Sequence, residues 1–158
     1  MAELPALGRR GEGWVALQLT LMGLAVAAWV AGPRWPSAAA GACAVGGALL
    51  GLAGGALAGW AALVLGRSLT PFPRPARGGS LAARGPYALV RHPIYLGGIL
   101  FFAGLSLALS PLALAPTAAL ALLWALKLRV EERFLRAAYP EYDAYAERTR
   151  YRLLPFVY

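Results

Sequence analysis

The chain has 158 residues, of which 59% are hydrophobic and only 14% are charged, and its formal net charge is +8. Soluble domains of this length carry about 25% charged residues, so the composition excludes an ordinary soluble domain and indicates a membrane protein. The single cysteine, Cys43, excludes an intramolecular disulfide.

Two long apolar runs occupy the N-terminal part of the chain. The first extends from Trp14 to Ala31, and the second extends from Ala38 to Leu65 without a charged residue. A helix needs about 20 predominantly apolar residues to cross a bilayer, and about 17 suffice at the lower limit. We therefore predict two transmembrane helices. We expect the first to be a retained anchor rather than a cleaved signal peptide.

Glycines recur every fourth residue in the second run, at Gly47, Gly51, Gly55 and Gly59. This spacing makes one helix face smooth enough for close contact with another helix. We expect that contact to lie within the chain, and dimerisation is the alternative.

Residues 67–86 are predicted to form a loop, because four prolines and the pair Gly78-Gly79 interrupt any regular element. The loop is either a solvated connector or a lid on the cofactor side. Basic residues concentrate before the first run, in this loop and after the last apolar stretch, whereas Arg34 alone lies between the first two runs. This asymmetry follows the positive-inside rule. We therefore expect both termini and the loop to be cytoplasmic. Topology and contact with membrane lipid account for the net charge, so we expect no nucleic-acid partner.

The third and fourth apolar stretches run from Ile94 to Leu109 and from Leu112 to Leu126, with a break at Ser110-Pro111. Each is short for an upright span at about 1.5 Å of rise per residue. They form either a compact hairpin or two segments that enter the membrane without crossing it. We favour the hairpin, because it returns the basic tail to the side of the basic loop. The amphipathic continuation to Ala138 indicates that the fourth helix emerges into the cytosol.

The sequence thus predicts an all-α integral membrane protein with about four transmembrane helices, the last two a helical hairpin, and a cytosolic C-terminal segment. We divide it into a two-helix membrane region, residues 1–66, and a core, residues 67–158. The oligomeric state is left open.

His92 is the only histidine, and it immediately precedes Pro93. The proline disfavours a helical backbone at His92 and suits the first turn of the next helix. We therefore expect His92 at a helix N-terminus on the cytoplasmic boundary. Free amide donors and positive potential there favour an anion or a polar cofactor group. The alternative is a helix-capping residue with no ligand.

Glu131 and Glu132 are adjacent on the predicted fourth helix, so their side chains point about 100° apart. One carboxylate can face inward while the other meets solvent. An inward carboxylate near the membrane boundary requires a ligand or a partner arginine. The alternative is a solvated helix face with weak ion pairs to Arg129 and Arg133. One histidine, one cysteine and no second acidic cluster offer no convincing metal ligand set.

Three segments of the C-terminal half carry a distinctive combination of residues. They are Gly-Pro-Tyr-x-x-Val-Arg-His-Pro-x-Tyr-x-Gly at 85–97, Arg129-Val130-Glu131-Glu132-x-x-Leu135, and Tyr139-Pro140-Glu141-Tyr142-x-x-Tyr145 followed by Leu154-Pro155-Phe156. In this order they resemble the isoprenylcysteine carboxyl methyltransferase and phospholipid methyltransferase superfamily of membrane enzymes. The resemblance covers roughly residues 66–158 and assigns the core to methyl transfer.

The resemblance implies S-adenosylmethionine as the cofactor and a lipophilic or lipidated acceptor with a polar head, which we expect to be a carboxylate. It implies a cofactor pocket made by Arg91, His92, Tyr95, Gly97, Glu131 and Glu132, with Leu154 and Pro155 near the nucleoside. A carboxylate nucleophile needs alignment rather than a general base. The candidate catalytic residues are Arg129 and Lys127, either of which would orient the acceptor, and Glu131.

Three other interpretations remain open. A phospholipid N-methyltransferase would act on an amine head group. Membrane sterol reductases, which use NADPH, also carry an Arg-His-Pro-x-Tyr motif, and residues 151–158 match their Tyr-Arg-x-x-Pro-x-x-Tyr ending. A non-enzymatic membrane scaffold is the last alternative. The paired glutamates and the short length favour the methyltransferase.

Overall fold

The computed structural model describes residues 4–154, which form five α-helices and contain no β-strand. The helices are α1 (Glu12–Ala31), α2 (Ser37–Leu65), α3 (Pro93–Leu109), α4 (Leu114–Ala138) and α5 (Tyr142–Arg148). Three helical segments are long and apolar enough to cross a membrane: Glu12–Ala31, Ser37–Ser68 and Pro111–Ala138. The 17 residues of α3 span about 26 Å, slightly less than a hydrocarbon core of about 30 Å.

The all-helical architecture is confirmed, and the predicted boundaries agree closely with the helices. The break at Ser110-Pro111 has a clear physical cause. Ser110 is extended (φ −158°, ψ 126°), and Pro111 opens a short 3₁₀ turn that leads into α4. Because proline has no N–H to donate, the α3 ladder cannot continue through it. The number of spans and the side on which the termini lie stay predictions.

Glycines let α2 and α3 approach until their backbones touch. A Cβ atom added at Gly47 would lie 2.5 Å from the carbonyl oxygen of Gly104, and one added at Gly104 would overlap the backbone of Gly51. The predicted small-residue face is therefore used within the chain. It follows Gly47, Gly51 and Gly54, whereas a Cβ at Gly59 would meet nothing within 4 Å. A strict four-residue spacing drifts about 40° per step around a 3.6-residue helix, so Gly59 has rotated away from α3.

Helix α1 completes the bundle by packing against α3 and α4. Trp14, Phe102 and Trp124 belong to the buried apolar cluster between these helices. Polar side chains in the same layer pair with each other. The Trp29 indole donates to Ser106 Oγ at 3.0 Å, and Ser106 Oγ lies 2.8 Å from Thr117 Oγ1. Such pairs satisfy buried polar groups between membrane helices.

The C-terminal segment returns to the start of α3. The backbone N–H groups of Arg91 and His92 donate to the carbonyl oxygens of Tyr151 and Arg152, each at 2.9 Å. The loop between α2 and α3 covers the same end of the bundle, where the Arg10 guanidinium lies 4.1 Å from the Phe72 ring centroid.

Arg34 is at the opposite end, where it donates to the Leu109 carbonyl oxygen at 2.9 Å. The basic N-terminal residues, the basic loop and the C-terminal segment therefore share one end of the bundle.

Candidate functional site

A cavity of about 360 Å³ lies at this basic end of the bundle. Its volume is within the range of small-molecule sites, about 300–1,000 Å³. The α2–α3 loop supplies one wall with residues between Ser68 and Ala82. The other walls contain Gln18, Leu65, Tyr87, Arg91, His92, Ile94, Tyr95, Trp124, Lys127, Glu131, Leu135, Tyr139, Tyr142 and Tyr145. Most of this lining is apolar or aromatic, and the charged groups come from the start of α3 and from α4.

Five residues predicted from the sequence meet in this cavity: Arg91, His92, Tyr95, Lys127 and Glu131. Lys127 and Glu131 are four residues apart on α4, so they share one helix face. The Tyr95 hydroxyl donates to Glu131 Oε2 at 2.5 Å. The structure therefore joins the histidine motif on α3 to the paired-glutamate segment on α4.

Glu132 lies behind the cavity wall rather than in it. Its side chain is 1% exposed, and Oε1 accepts a 2.8 Å hydrogen bond from Arg91 Nε. His92 Nε2 lies 3.4 Å from the same oxygen, and Arg152 Nε lies 3.3 Å from both oxygens. Glu132 thus holds Arg91 and His92 in place.

Both glutamates therefore face inward, which differs from the expected division between an inward and a solvated carboxylate. The physical reason is that the C-terminal segment covers this part of α4 and brings Arg152 to Glu132.

The Arg91 guanidinium also fixes the C-terminal segment. Its Nη1 donates to the carbonyl oxygens of Thr149 and Arg150, each at 2.9 Å. One side chain therefore joins the start of α3, the middle of α4 and the C-terminal segment. Arg91 lines the cavity while most of its donors are used in this connection.

Aromatic rings form a second wall. Tyr95 stacks near His92 on one side and near Trp124 on the other, with centroid distances of 5.7 and 5.8 Å. The Tyr145 hydroxyl donates to the Tyr87 carbonyl oxygen at 2.8 Å, and burial raises the pKa of Tyr145 to about 12.

Burial also raises the pKa of Tyr142. Its buried hydroxyl has no hydrogen-bond partner among residues 4–154. It is therefore a neutral phenol that lines the cavity with an unused donor.

Lys127 is the only lysine in a chain with fourteen arginines. It is 1% exposed, and its ammonium donates to Gln18 Oε1 and to the Pro71 carbonyl oxygen, each at 2.7 Å. Its Nζ is also 5.6 Å from the Tyr95 ring centroid. Arg129 is about 200° further around the helix and is not among the residues that line the cavity. Of the two cations considered for orienting an acceptor, the structure therefore places Lys127 in the cavity.

Besides Glu132, two predicted cofactor residues, Gly97 and Leu154, do not line the cavity. Gly97 packs against α2, where an added Cβ would lie 2.6 Å from the backbone nitrogen of Ala58. Leu154 is 47% exposed and lies outside the lining, and Pro155 is outside the described residues. A packing requirement therefore accounts for the glycine in the 85–97 motif.

Sequence reasoning missed Gln18 and Trp124, and it did not identify which residues of the loop close the cavity. A signal for Gln18 was present, because it is an uncharged amide within an otherwise apolar run. The wall formed by the loop had no such signal, since it consists largely of prolines and apolar residues. Between residues 4 and 154, no group of three or more His, Cys, Asp and Glu side chains is arranged to hold a metal ion.

The fold and the cavity define a helical membrane protein whose chemistry is concentrated at one end of the bundle. Comparison with protein families makes this class specific, because the phospholipid methyltransferase family model matches residues 42–142. The chain belongs to this family. The resemblance seen in the three C-terminal segments is thereby confirmed.

Two curated relatives are named as metal-resistance proteins. The chain is 42% identical over 72 residues to the cobalt-zinc-cadmium resistance protein CzcN of Cupriavidus metallidurans. It is 37% identical over 71 residues to the nickel-cobalt-cadmium resistance protein NccN of Alcaligenes xylosoxydans xylosoxydans. Each match covers 44% of this chain and 33% of the relative. The matched segment of the chain therefore spans about a third of the length of these proteins.

Proposed function

We propose that this protein is an integral-membrane, S-adenosylmethionine-dependent methyltransferase that modifies the polar head, a carboxylate, of a lipophilic acceptor. Family membership supports methyl transfer. The observation that carries the rest is the position of Lys127 and Glu131, which bring opposite charges into one largely apolar cavity beside the membrane helices. An amphiphilic acceptor suits such a cavity, because its tail contacts apolar walls and its head meets the charges.

The residues present fit the proposed cofactor. When bound, S-adenosylmethionine supplies a methyl group already activated by a sulfonium. Glu131 offers a carboxylate to the positive charge of that molecule, and the unpartnered hydroxyl of Tyr142 offers a donor to one of its oxygens. Arg91 and His92 form the basic side of the cavity, which suits its carboxylate. Glu132 serves as a positioning residue for this basic side.

Lys127 is the residue that we propose binds the acceptor. Its ammonium is fixed by two hydrogen bonds, so its charge occupies a defined point of the cavity. A carboxylate attacks as an anion and releases no proton, so no general base is needed. The protein then contributes alignment of donor and acceptor and exclusion of water. A cation that orients a carboxylate away from bulk water supplies much of that alignment.

An amine head group is the second candidate. The family description favours a phospholipid acceptor, and Glu131 would pair with a cationic head as readily as with the cofactor. Lys127 opposes this alternative, because an ammonium repels a cationic head in a cavity of this size.

Methyl transfer by the purified protein tests the proposal. The assay follows a radiolabelled methyl group from S-adenosylmethionine into a prenylcysteine analogue or an aminophospholipid. We expect activity on the prenylcysteine analogue and a loss of at least tenfold in kcat/KM for Lys127→Met, with cofactor affinity retained. Arg77→Met, which neutralises an exposed loop arginine, is the matched control. Activity on the amine acceptor alone would move the protein to the second candidate, and methylation of water-soluble acceptors alone would contradict both.

A further inference from the structure

Gln18 is a polar side chain of α1 that reaches the cavity. It lies outside the family-matched segment, residues 42–142, and it is half-buried. Its Oε1 atom accepts from Lys127 Nζ at 2.7 Å and from the Trp124 indole nitrogen at 3.0 Å. The Trp124 bond fixes the amide, and the fixed amide in turn fixes the ammonium.

The hydrogen-bond partners of Lys127 are uncharged. An ammonium has three N–H donors, and here two of them go to neutral oxygens, the Gln18 amide and the Pro71 carbonyl. The nearest carboxylate on the same helix face, Glu131, accepts the hydroxyl of Tyr95. The hydrogen bonds that hold Lys127 therefore orient its charge without cancelling it, and they leave one N–H for a ligand.

We propose that Gln18 is a positioning residue that holds the Lys127 ammonium, through a neutral hydrogen bond, to receive the anionic head group of the acceptor. The inference rests on the proposed function and deepens it. It also makes α1 part of the active site, although the family match begins only in α2. A neutral amide is the side chain suited to this task, because it binds an ammonium and adds no negative charge to compete with the acceptor.

Two substitutions at this position separate positioning from simple packing. Gln18→Met keeps the side-chain size and removes the acceptor oxygen. Gln18→Glu keeps the shape and both hydrogen bonds but adds a negative charge beside Lys127. If Gln18 only joined α1 to α4, the glutamate would restore what the methionine loses. If Gln18 positions an available charge, the glutamate is the more harmful change.

The expected kinetic result is a KM effect. We expect KM for the carboxylate acceptor to rise about tenfold in Gln18→Met and further in Gln18→Glu, with cofactor affinity unchanged. Thr20→Val is the matched control, because the Thr20 hydroxyl bonds to the Ala16 carbonyl oxygen of its own helix and is exposed. Equal KM values in all four proteins, or rescue by the glutamate, would overturn the inference.

A second measurement does not depend on turnover. Because Lys127 is the only lysine, protein labelled with [¹³C]lysine gives one side-chain ε-methylene resonance. We titrate it, without cofactor, with a prenylcysteine analogue and with the methyl ester of that analogue. The carboxylate should shift the resonance in the wild type and in Thr20→Val, and should do so at least tenfold more weakly in both Gln18 variants. The neutral ester should have no comparable effect.

The two measurements distinguish the possible failures. No response of the wild-type resonance to the carboxylate, or the same response in the Gln18 variants, would contradict the role assigned to Gln18. A selective response without methyl transfer to any acceptor would support the Gln18–Lys127 anion site and contradict the proposed function.

Discussion

Arg91 and Glu132 form an ion pair of 2.8 Å in which the two side chains are 8% and 1% exposed. The same guanidinium donates to the carbonyl oxygens of Thr149 and Arg150. This pair therefore fixes three parts of the chain around the cavity. Removing one partner of a buried ion pair leaves an uncompensated charge, which typically costs about 3–5 kcal/mol.

The first prediction concerns this pair. Glu132→Gln should lower the free energy of unfolding by about 3 kcal/mol, because Arg91 and Arg152 lose their shared carboxylate. Thermal unfolding in detergent measures the effect. Glu147→Gln, at an exposed position of α5, should change stability by no more than about 0.5 kcal/mol. Equal stabilities of the two variants would show that Glu132 does not hold the site together.

The second prediction uses the neighbouring glutamate. Glu131→Gln should leave stability close to that of the wild type and should weaken S-adenosylmethionine binding at least tenfold, because Glu131 faces the cavity and would meet the positive charge of that molecule. Tyr95→Phe keeps the ring stack and removes the hydrogen bond to Glu131, so it should show a smaller loss of affinity. Calorimetric titration measures both. Unchanged affinity in Glu131→Gln would remove this residue from the cofactor site.

The third prediction concerns the contact of α2 with α3. Gly104→Ala should destabilise the protein by about 1–3 kcal/mol, because the new Cβ would overlap the backbone of Gly51. Gly59→Ala, with open space around it, should be neutral or slightly stabilising, since alanine is the better helix former. Thermal unfolding of both variants tests the prediction, and a reversed order would contradict the glycine-mediated packing.

The fourth prediction is the membrane topology, which the positive-inside rule suggests. In a Cys43→Ala background, cysteines at Arg77 and Arg148 should react with an impermeant reagent from the cytoplasmic side, and a cysteine at Arg34 from the other side. All three positions are exposed. Labelling of Arg77→Cys and Arg148→Cys from opposite sides would be incompatible with the common end of the bundle that they occupy.

The helix positions were predictable from the sequence because membrane helices are long, uninterrupted runs of apolar residues. The runs from Trp14 and Ala38 fall within α1 and α2, and the Ser110-Pro111 break falls between α3 and α4. The meeting of Tyr95 with Glu131 was implied by the motifs, but their hydrogen bond depends on how α3 and α4 pack.

Other features of the site depend on contacts that no local pattern encodes. Gln18 is 109 residues from Lys127 in the chain, and the partners of Glu132 come from the returning C-terminal segment. At Gly97 the sequence pattern was visible but its role was misassigned. The motif glycine was expected at the cofactor, whereas the structure requires a glycine there because α2 packs closely against it.

The most direct test of the central claim is equilibrium binding of S-adenosylhomocysteine to the purified protein in detergent, compared with NADPH under the same conditions. We expect S-adenosylhomocysteine to bind with micromolar affinity, about −8 kcal/mol, and NADPH to show no saturable binding. We also expect at least tenfold weaker binding of S-adenosylhomocysteine in His92→Ala, because the ring lines the cavity and lies beside Tyr95. Saturable binding of NADPH without binding of S-adenosylhomocysteine would contradict the methyltransferase account.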